Sequence, residues 1–278
     1  MIKHPHTLQV TFPRSGTHLV QQLIQLILNR GQSTGSLAEF AKRAPFLEIQ
    51  GPQETEAPRL LRTHLPMHRL RLTDRAKYVY VARNPWDCCV SNFHYMKGFP
   101  AFGFTDGSFD DFLDAFLEGR FGSGGYFDHV ISGFKHRNNG NVFFVTYEEA
   151  IRDKADVVLR LADFLGERYG KMIRSNHEVL ALILEKSGVE YMHNLLQSSL
   201  TEMTEIFRTG LMPGYFRAVS SNATENAKAN LVRKGGVGDW ISYFSPENIQ
   251  KMQDKIDEKF KQTDIMSLWK HDEIDERP

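Results

Sequence analysis

The sequence has very little cysteine and no excess of charge. Its 278 residues include only Cys88 and Cys89, and a disulfide between adjacent cysteines would be strained. We therefore expect a reducing, cytoplasmic setting without a disulfide framework. Lysine and arginine number 34, as do aspartate and glutamate, so the formal net charge is 0. Because a neutral chain grips a long polyanion poorly, we expect no nucleic-acid partner and only a local basic site.

The sequence also lacks long apolar runs and the usual metal-binding patterns. No segment reaches the ~18 consecutive apolar residues of a membrane span, and no secretory signal precedes residues 19–28, so we expect no membrane partner. There is no H-E-x-x-H, C-x-x-C or EF-hand pattern, which predicts a site without metal. A hydrophobic content of 41% indicates a globular protein. Since no linker interrupts it, we predict one domain over residues 1–278.

Strand and helix patterns alternate along the chain. A β-prone run at residues 8–12 is closed by a proline and a glycine and leads into helical spacing at 17–29. Helical patterns also follow the runs at 77–82 and 142–147. This repetition predicts an α/β fold with a mostly parallel central sheet flanked by helices. Residues 98–125, rich in glycine and phenylalanine, predict a surface excursion that could serve as a substrate lid.

The residues that join the first strand to the first helix form an anion-binding pattern, TFPRSGTH at residues 11–18. A strand, tight turn and helix direct free backbone N–H groups and the positive end of the helix dipole at one point. Arg14 adds a charge, and Ser15 and Thr17 add hydroxyl donors, so the pattern favours phosphate or sulfate. The layout is P-loop-like, but the first glycine and the lysine of a nucleotide P-loop are absent. Taken alone, such a pattern is also compatible with a plain structural connection.

Three motifs taken together resemble those of a single enzyme family. TFPRSGT at residues 11–17 resembles the 5′-phosphosulfate loop of the cytosolic sulfotransferases, whose sulfuryl donor is 3′-phosphoadenosine 5′-phosphosulfate (PAPS). VARNPWDCCVS at 81–91 and RKGGVGDW at 233–240 resemble the second and third signatures, in the same order. The resemblance implies a PAPS-dependent sulfotransferase that releases the desulfated nucleotide PAP and needs no metal. The implied acceptor is a small phenol, catecholamine or other alcohol, or an amine.

The resemblance also implies roles for individual residues. LLRTHLP at residues 60–66 is similar to the family's catalytic stretch, so His64 is expected to be the general base, with Arg14 and Arg62 stabilising charge. The implied donor-binding residues come from the first turn, from the two later motifs and from two adenine contacts: Arg14, Ser15, Gly16, Thr17, His18, Arg83, Ser91, Tyr147, Ser187, Arg233, Lys234 and Gly235.

PAPS carries anionic groups at opposite ends of one nucleoside, so its pocket needs two cationic sites. The resemblance assigns the turn at residues 13–18 to the 5′-phosphosulfate. It assigns Arg83, Arg233 and Lys234 to the 3′-phosphate, together with Ser91 and the backbone N–H of Gly235. Tyr147 and Ser187 are the implied adenine contacts.

Several positions depart from the family pattern. The family usually has lysine where Arg14 and Arg62 stand, and a guanidinium stabilises charge but scarcely gives up a proton at neutral pH. Leu19 replaces a tryptophan that commonly stacks on adenine, so base binding is expected to rely more on Tyr147. The dimer motif that many relatives carry after Trp240 is also replaced. We therefore expect a monomer or a weak dimer.

Alternative functions remain open at this level. A nucleoside or small-molecule kinase could use the same sheet and anion turn, but the P-loop lysine and an obvious Mg²⁺ carboxylate at a strand end are missing. A carbohydrate sulfotransferase domain would generally carry a membrane anchor and disulfides. A catalytically inert PAPS-binding protein is a further alternative, against which His64 argues.

Overall fold

A parallel four-stranded sheet lies at the centre of the protein. The computed structural model describes residues 6–51, 59–99, 102–120, 124–199, 228–229 and 231–270. The strands run parallel in the order β2-β1-β3-β4, with Thr7 opposite Leu60 at the start of the β1–β2 pair. They are β1 (His6–Thr11), β2 (Leu60–Thr63), β3 (Ala76–Ala82) and β4 (Val142–Thr146). The predicted α/β fold is confirmed.

Helices follow the strands and surround the sheet. In chain order they are α1 (Thr17–Leu28), α2 (Leu37–Arg43), α3 (Leu47–Gln50), α4 (Pro85–Gly98), α5 (Phe109–Leu117), α6 (Tyr126–Phe134), α7 (Tyr147–Arg152), α8 (Lys154–Leu165), α9 (Glu167–Ser175), α10 (His177–Lys186), α11 (Val189–Leu196) and α12 (Pro246–Phe260). Short 3₁₀ turns lie at Met67–Arg69, Asp239–Ser242 and Ile265–Trp269. Two short strands, β5 (Ser198–Ser199) and β6 (Lys228–Ala229), pair antiparallel.

The start of α4 follows from its sequence. The side chain of Asn84 accepts a hydrogen bond from the backbone N–H of Asp87 at 2.8 Å, and Pro85 occupies the first helical position. This arrangement uses a capping side chain and a residue that has no N–H to leave unpaired. The structure thus confirms a strand, turn and helix at the second motif.

Two large apolar layers cover the sheet, one on each face, and a smaller third cluster includes Phe40 and Met192. Side chains alternate across a strand, so β3 sends Tyr80 to one layer and Val79 and Val81 to the other. The layer around Tyr80 packs against α4, α5, α6 and α12, and the second layer packs against α1 and α8. A strand covered on both faces reads as a continuous apolar run, which explains the sequence of β3.

The described part of the segment at residues 98–125 packs onto α4 through aromatic rings. Phe93 contacts Phe104 and Phe109 edge to face, at centroid distances of 6.4 and 5.3 Å. Lys97 donates a hydrogen bond to the carbonyl of Gly107 at 3.3 Å. Residues 100–101 and 121–123 lie outside the described residues, and a role of this segment as a substrate lid stays a prediction.

Within the residues that the structure describes, no helix is both long and apolar enough to cross a membrane.

Candidate functional site

The carboxyl ends of the parallel strands bring the predicted site residues to one edge of the sheet. The turn after β1 carries Arg14, whose carbonyl accepts a hydrogen bond from Arg83 Nη1 at 3.1 Å, just after β3. His64, just after β2, donates from Nδ1 to the carbonyl of Thr11 at 2.7 Å. Tyr147, just after β4, packs on the same turn. This is the edge at which open α/β sheets bind their ligands.

The turn after β1 has an unusual backbone. Arg14 has a φ of 66° and Gly16 a φ of 97°, and α1 begins directly afterwards. A left-handed conformation is uncommon for a residue with a side chain, and such residues concentrate at functional sites. The N–H of Ser15 bonds to the carbonyl of Phe12 at 3.2 Å, which closes the turn. The sequence predicts the turn but gives no sign that Arg14 adopts this conformation.

Gly16 is required by both its conformation and its surroundings. A Cβ added there would lie 2.7 Å from Cδ2 of Tyr147. We expect Gly16→Ala to lower the free energy of unfolding by about 1–2 kcal/mol from the left-handed backbone alone, with a further cost from the contact. Urea unfolding measures the change. Gly140→Ala is the matched control, because a Cβ added at Gly140 meets no atom within 4 Å. Equal losses in the two variants would contradict the prediction.

Residues assigned to the two ends of the donor are in direct contact. Arg14 donates from Nε to Ser91 Oγ at 3.2 Å and from Nη1 to the carbonyl of Leu231 at 3.1 Å. Arg83 donates from Nη2 to the carbonyl of Gly236 at 3.2 Å. The turn, α4 and the third motif therefore meet at these two guanidinium groups. The resemblance alone places Arg14 and Ser91 at separate phosphates, whereas the structure places them within hydrogen-bond distance.

Arg14 and Arg83 are cations without a carboxylate partner among the described residues. Their hydrogen bonds go to a hydroxyl and to backbone carbonyls, and Nε of Arg83 is buried without a hydrogen bond. Arg14 also lies over the ring of Tyr95, at 5.2 Å from the centroid. Burial, together with the nearby charges of Arg83 and Arg233, lowers the pKa of Arg14 to about 10 against a raising effect of Tyr95. A cluster of cations without carboxylate partners favours the binding of an anion.

The two cations of the third motif share one carboxylate. Asp239 accepts from Arg233 Nη2 and from Lys234 Nζ, each at 2.5 Å. Burial alone would raise the pKa of Asp239, but the bonds from Lys234 and Arg233 outweigh burial and lower it. Gly235 follows these two cations with a φ of 69°. A Cβ added at Gly235 would lie 2.4 Å from Cγ2 of Val189, so a larger residue does not fit there.

The imidazole of His64 has a defined tautomer. Since the carbonyl of Thr11 can only accept, Nδ1 of His64 carries the proton, which leaves the lone pair on Nε2. The ring is half-buried and tilted against Phe46 at a centroid distance of 4.8 Å. Burial lowers the pKa of His64, and the carboxylate of Glu48 opposes that effect. A neutral imidazole with a free Nε2 can accept a proton from a hydroxyl.

Arg62 and this imidazole contact the same ring, that of Phe46. It is 1% exposed, donates from Nη1 to Gln21 Oε1 at 2.7 Å and lies 4.0 Å from the ring centroid of Phe46. Its Nε is buried without a hydrogen bond, and burial lowers its pKa to about 9. Its charge affects both His64 and His18. The structure thus brings Arg62 near His64, and none of the described hydrogen bonds joins Arg62 to the Arg14 turn.

Three further predicted donor contacts lie in different settings. Tyr147 is buried under Arg83, whose guanidinium lies 4.4 Å from the ring centroid. His18 stacks on Phe40, and burial lowers its pKa well below the usual range. Ser187 is buried at the end of α10, and its hydroxyl donates to the carbonyl of Leu184 at 3.2 Å. None of the described contacts joins Ser187 to the turn.

Three acidic residues at the site are missed by the motif comparison. Asp239 holds two cations, as described above, and Glu48 contacts the backbone at His64. Asp87 accepts from the N–H groups of Gly238 and Trp240, at 2.8 and 3.1 Å. From the sequence, Asp87 is only an acidic residue in the first turn of α4. Its partners lie more than a hundred residues away, so no local pattern could reveal the contact.

Comparison with known proteins settles the family. The sulfotransferase domain family matches residues 4–264. The chain belongs to the sulfotransferase family. This sulfotransferase is 27% identical over 265 residues to Sulfotransferase 1C2 of Rattus norvegicus, covering 91% of this chain and 80% of the relative. The resemblance inferred from the three motifs is thereby confirmed.

Solved structures agree with the fold of this sulfotransferase. A mouse sulfotransferase solved in complex with PAP has a TM-score of 0.67 and 25% identity, with 94% of this chain and 85% of that chain covered. Retinol dehydratase, solved with androsterone and PAP, has a TM-score of 0.71 and 22% identity, with coverages of 93% and 81%. The second match is a likeness of fold.

Proposed function

We propose that this sulfotransferase, acting as a single domain over residues 1–278, transfers a sulfuryl group from PAPS to a small acceptor. The acceptor class is a phenol, a catecholamine or another small alcohol, or an amine. Support for the donor comes from family membership, from the three motifs and from the fold shared with a mouse sulfotransferase bound to PAP. A monomer or a weak dimer is the proposed assembly, because the dimer motif is replaced.

The observation that carries this proposal is the pair of guanidinium groups without carboxylate partners. Among the described residues, Arg14 and Arg83 bond only to a hydroxyl and to carbonyls, beside the N-terminus of α1 and the hydroxyl of Ser91. Cations, a helix N-terminus and hydroxyl donors are the groups that bind phosphate and sulfate. The orphaned Nε of Arg83 has a donor to offer such an anion. The residues present therefore fit PAPS.

When bound, PAPS supplies the sulfuryl group and an anionic phosphate as the leaving group. The turn residues Arg14, Ser15, Gly16, Thr17 and His18 would hold the 5′-phosphosulfate. The 3′-phosphate would be held by Arg83, Ser91, Arg233, Lys234 and Gly235. Tyr147, which packs on Gly16 and Arg83, would contact the adenine together with Ser187, whose assignment depends on its sequence position.

His64 would act as the general base. Thr11 fixes the proton on Nδ1, so Nε2 is available to take the proton from an acceptor hydroxyl. Arg14 and Arg62 would stabilise developing negative charge without giving up a proton, since a guanidinium remains charged near neutral pH. Both guanidinium groups lie near enough to His64 for their charges to lower its pKa, which supports these roles.

The test is an assay of the purified protein with PAPS and a panel of phenols, catecholamines, alcohols and amines. Mass spectrometry of the acceptor should show an added sulfuryl group, with PAP formed in equal amount. PAP binding without any sulfated product would favour an inert PAPS-binding protein. A phosphorylated acceptor in a parallel assay with ATP and Mg²⁺ would favour a kinase.

A further inference from the structure

A carboxylate outside the three motifs fixes the strand end that carries His64. Glu48, on the short helix α3, accepts from the N–H of His64 through Oε1 at 2.5 Å. Its Oε2 accepts from the hydroxyl of Thr63 at 2.8 Å. The same hydroxyl accepts from the N–H of Leu65 at 3.0 Å. Glu48 therefore holds the backbone of His64 directly, and it orients the Thr63 hydroxyl that accepts from Leu65.

The segment that carries Glu48 also packs the imidazole. The Phe46 ring lies 4.8 Å from the ring of His64 and 4.0 Å from the guanidinium of Arg62. In addition, Nδ1 of His64 bonds to the carbonyl of Thr11 at the end of β1. The imidazole is thus held by Phe46, next to α3, and by Thr11, and neither contact uses Nε2.

Two cations and one carboxylate act on His64 among the described residues. Cations face it from the turn after β1 (Arg14) and from β2 (Arg62), and neutral imidazoles face it from α1 (His18) and α6 (His129). Glu48 is the carboxylate among the described groups that act on it. Burial and the two guanidinium groups lower the pKa of His64, whereas Glu48 raises it. Without Glu48, a protonated His64 would be buried among like charges.

We propose that Glu48 is the positioning residue for His64, holding its backbone in place and supplying the counter-charge for the imidazolium that forms during transfer. This inference rests on the proposed role of His64 as general base. In that step the acceptor O–H bond breaks, and its electron pair stays on the oxygen. The proton forms a new N–H bond at Nε2, and water later removes it. The positive charge that appears on the ring is then balanced by the Glu48 carboxylate.

The experiment compares wild type with Glu48→Gln, which keeps the shape of the side chain and removes its charge. Imidazole signals followed by NMR as pH is varied give the titration midpoint of His64, assigned with His64→Ala, in the protein without donor. Loss of a nearby opposite charge should lower this midpoint by roughly 1 pH unit. The acidic limb of kcat should move to lower pH by the same amount, because the base stays neutral to lower pH. The maximal kcat should fall roughly 10-fold, since the base is weaker.

Two further variants make the outcome decisive. Glu39→Gln, on the neighbouring helix α2, removes an exposed carboxylate and should leave the midpoint of His64 unchanged. Glu48→Ala removes the same charge with a smaller side chain, and it should lower the midpoint as Glu48→Gln does, so a folding failure of one variant leaves the other. An unchanged midpoint and an unchanged acidic limb in folded variants would overturn the positioning role.

Failure of the proposed function would look different. In that case wild type would transfer no sulfuryl group to any acceptor, or His64→Ala would retain full turnover. The NMR midpoints would still report whether Glu48 acts on His64. The two ideas can therefore fail separately.

Discussion

Replacing His64 with alanine should reduce turnover by about 10²-fold or more, because positioned proton transfer contributes about 10²–10⁴-fold to such reactions. The free Nε2 and the hydrogen bond from Nδ1 to Thr11 are the features that suit this residue to accept a proton. PAP affinity should stay within about twofold, since the cations that would hold the phosphates lie elsewhere. Turnover is measured with PAPS and the best acceptor of the panel, and PAP binding by calorimetry.

His68→Ala is the matched control for this experiment. His68 lies four residues further along the chain and is exposed within the 3₁₀ turn Met67–Arg69. Its replacement should change kcat by less than about twofold, as expected for a surface substitution away from the site. Full activity of His64→Ala would remove His64 from the role of base. An equal loss in both variants would point to a general disturbance of this region.

Arg83→Ala should weaken PAP binding by about 2–4 kcal/mol, or roughly 30- to 700-fold, the range expected when one partner of a buried charge pair is truncated. Arg83 is 7% exposed, and in the described part of the chain its hydrogen bonds go to backbone carbonyls, while Glu148 acts on it without an ion-pair contact, so a bound phosphate would be its direct counter-charge. It also joins the turn at Arg14 to the third motif at Gly236. Its loss should therefore remove a charge and also the hydrogen bonds that hold the Arg14 turn and the third motif together.

Calorimetry with PAP measures this change, and thermal unfolding of the same variant shows whether the fold survives. Arg71→Ala, at an exposed position before β3, is the matched control for loss of one arginine and should leave the affinity unchanged. Arg83→Lys should have an intermediate effect, since it keeps the charge but loses the planar fork. Undiminished PAP affinity of a folded Arg83→Ala protein would contradict the phosphate assignment.

The sequence predicts the fold well where local patterns decide it. The strands, the turn at Gly16 and the capped start of α4 at Asn84 follow from apolar spacing and from residues with strong local preferences. These elements alone bring Arg14, His64 and Arg83 to one sheet edge, because the carboxyl ends of parallel strands coincide. The family resemblance then supplies most of the candidate residues.

What the sequence does not reveal depends on distant contacts. Arg14 has its left-handed backbone within a tertiary environment that includes Ser91 and Leu231. Glu48 acquires its place only when α3 packs beside β2. The environment of Ser187 likewise becomes visible only in three dimensions, where its hydroxyl turns back onto its own helix. No periodicity or motif encodes such contacts.

The carboxylate of Asp239 has a consequence for how tightly a nucleotide can be held. Since Arg233 and Lys234 share this single internal anion, a phosphate that binds there would compete with one existing carboxylate. The free energy of nucleotide binding is then less favourable than the number of positive side chains suggests. When the nucleotide leaves, Asp239 would re-form its ion pairs with Arg233 and Lys234, so these two side chains would not be left without a counter-charge.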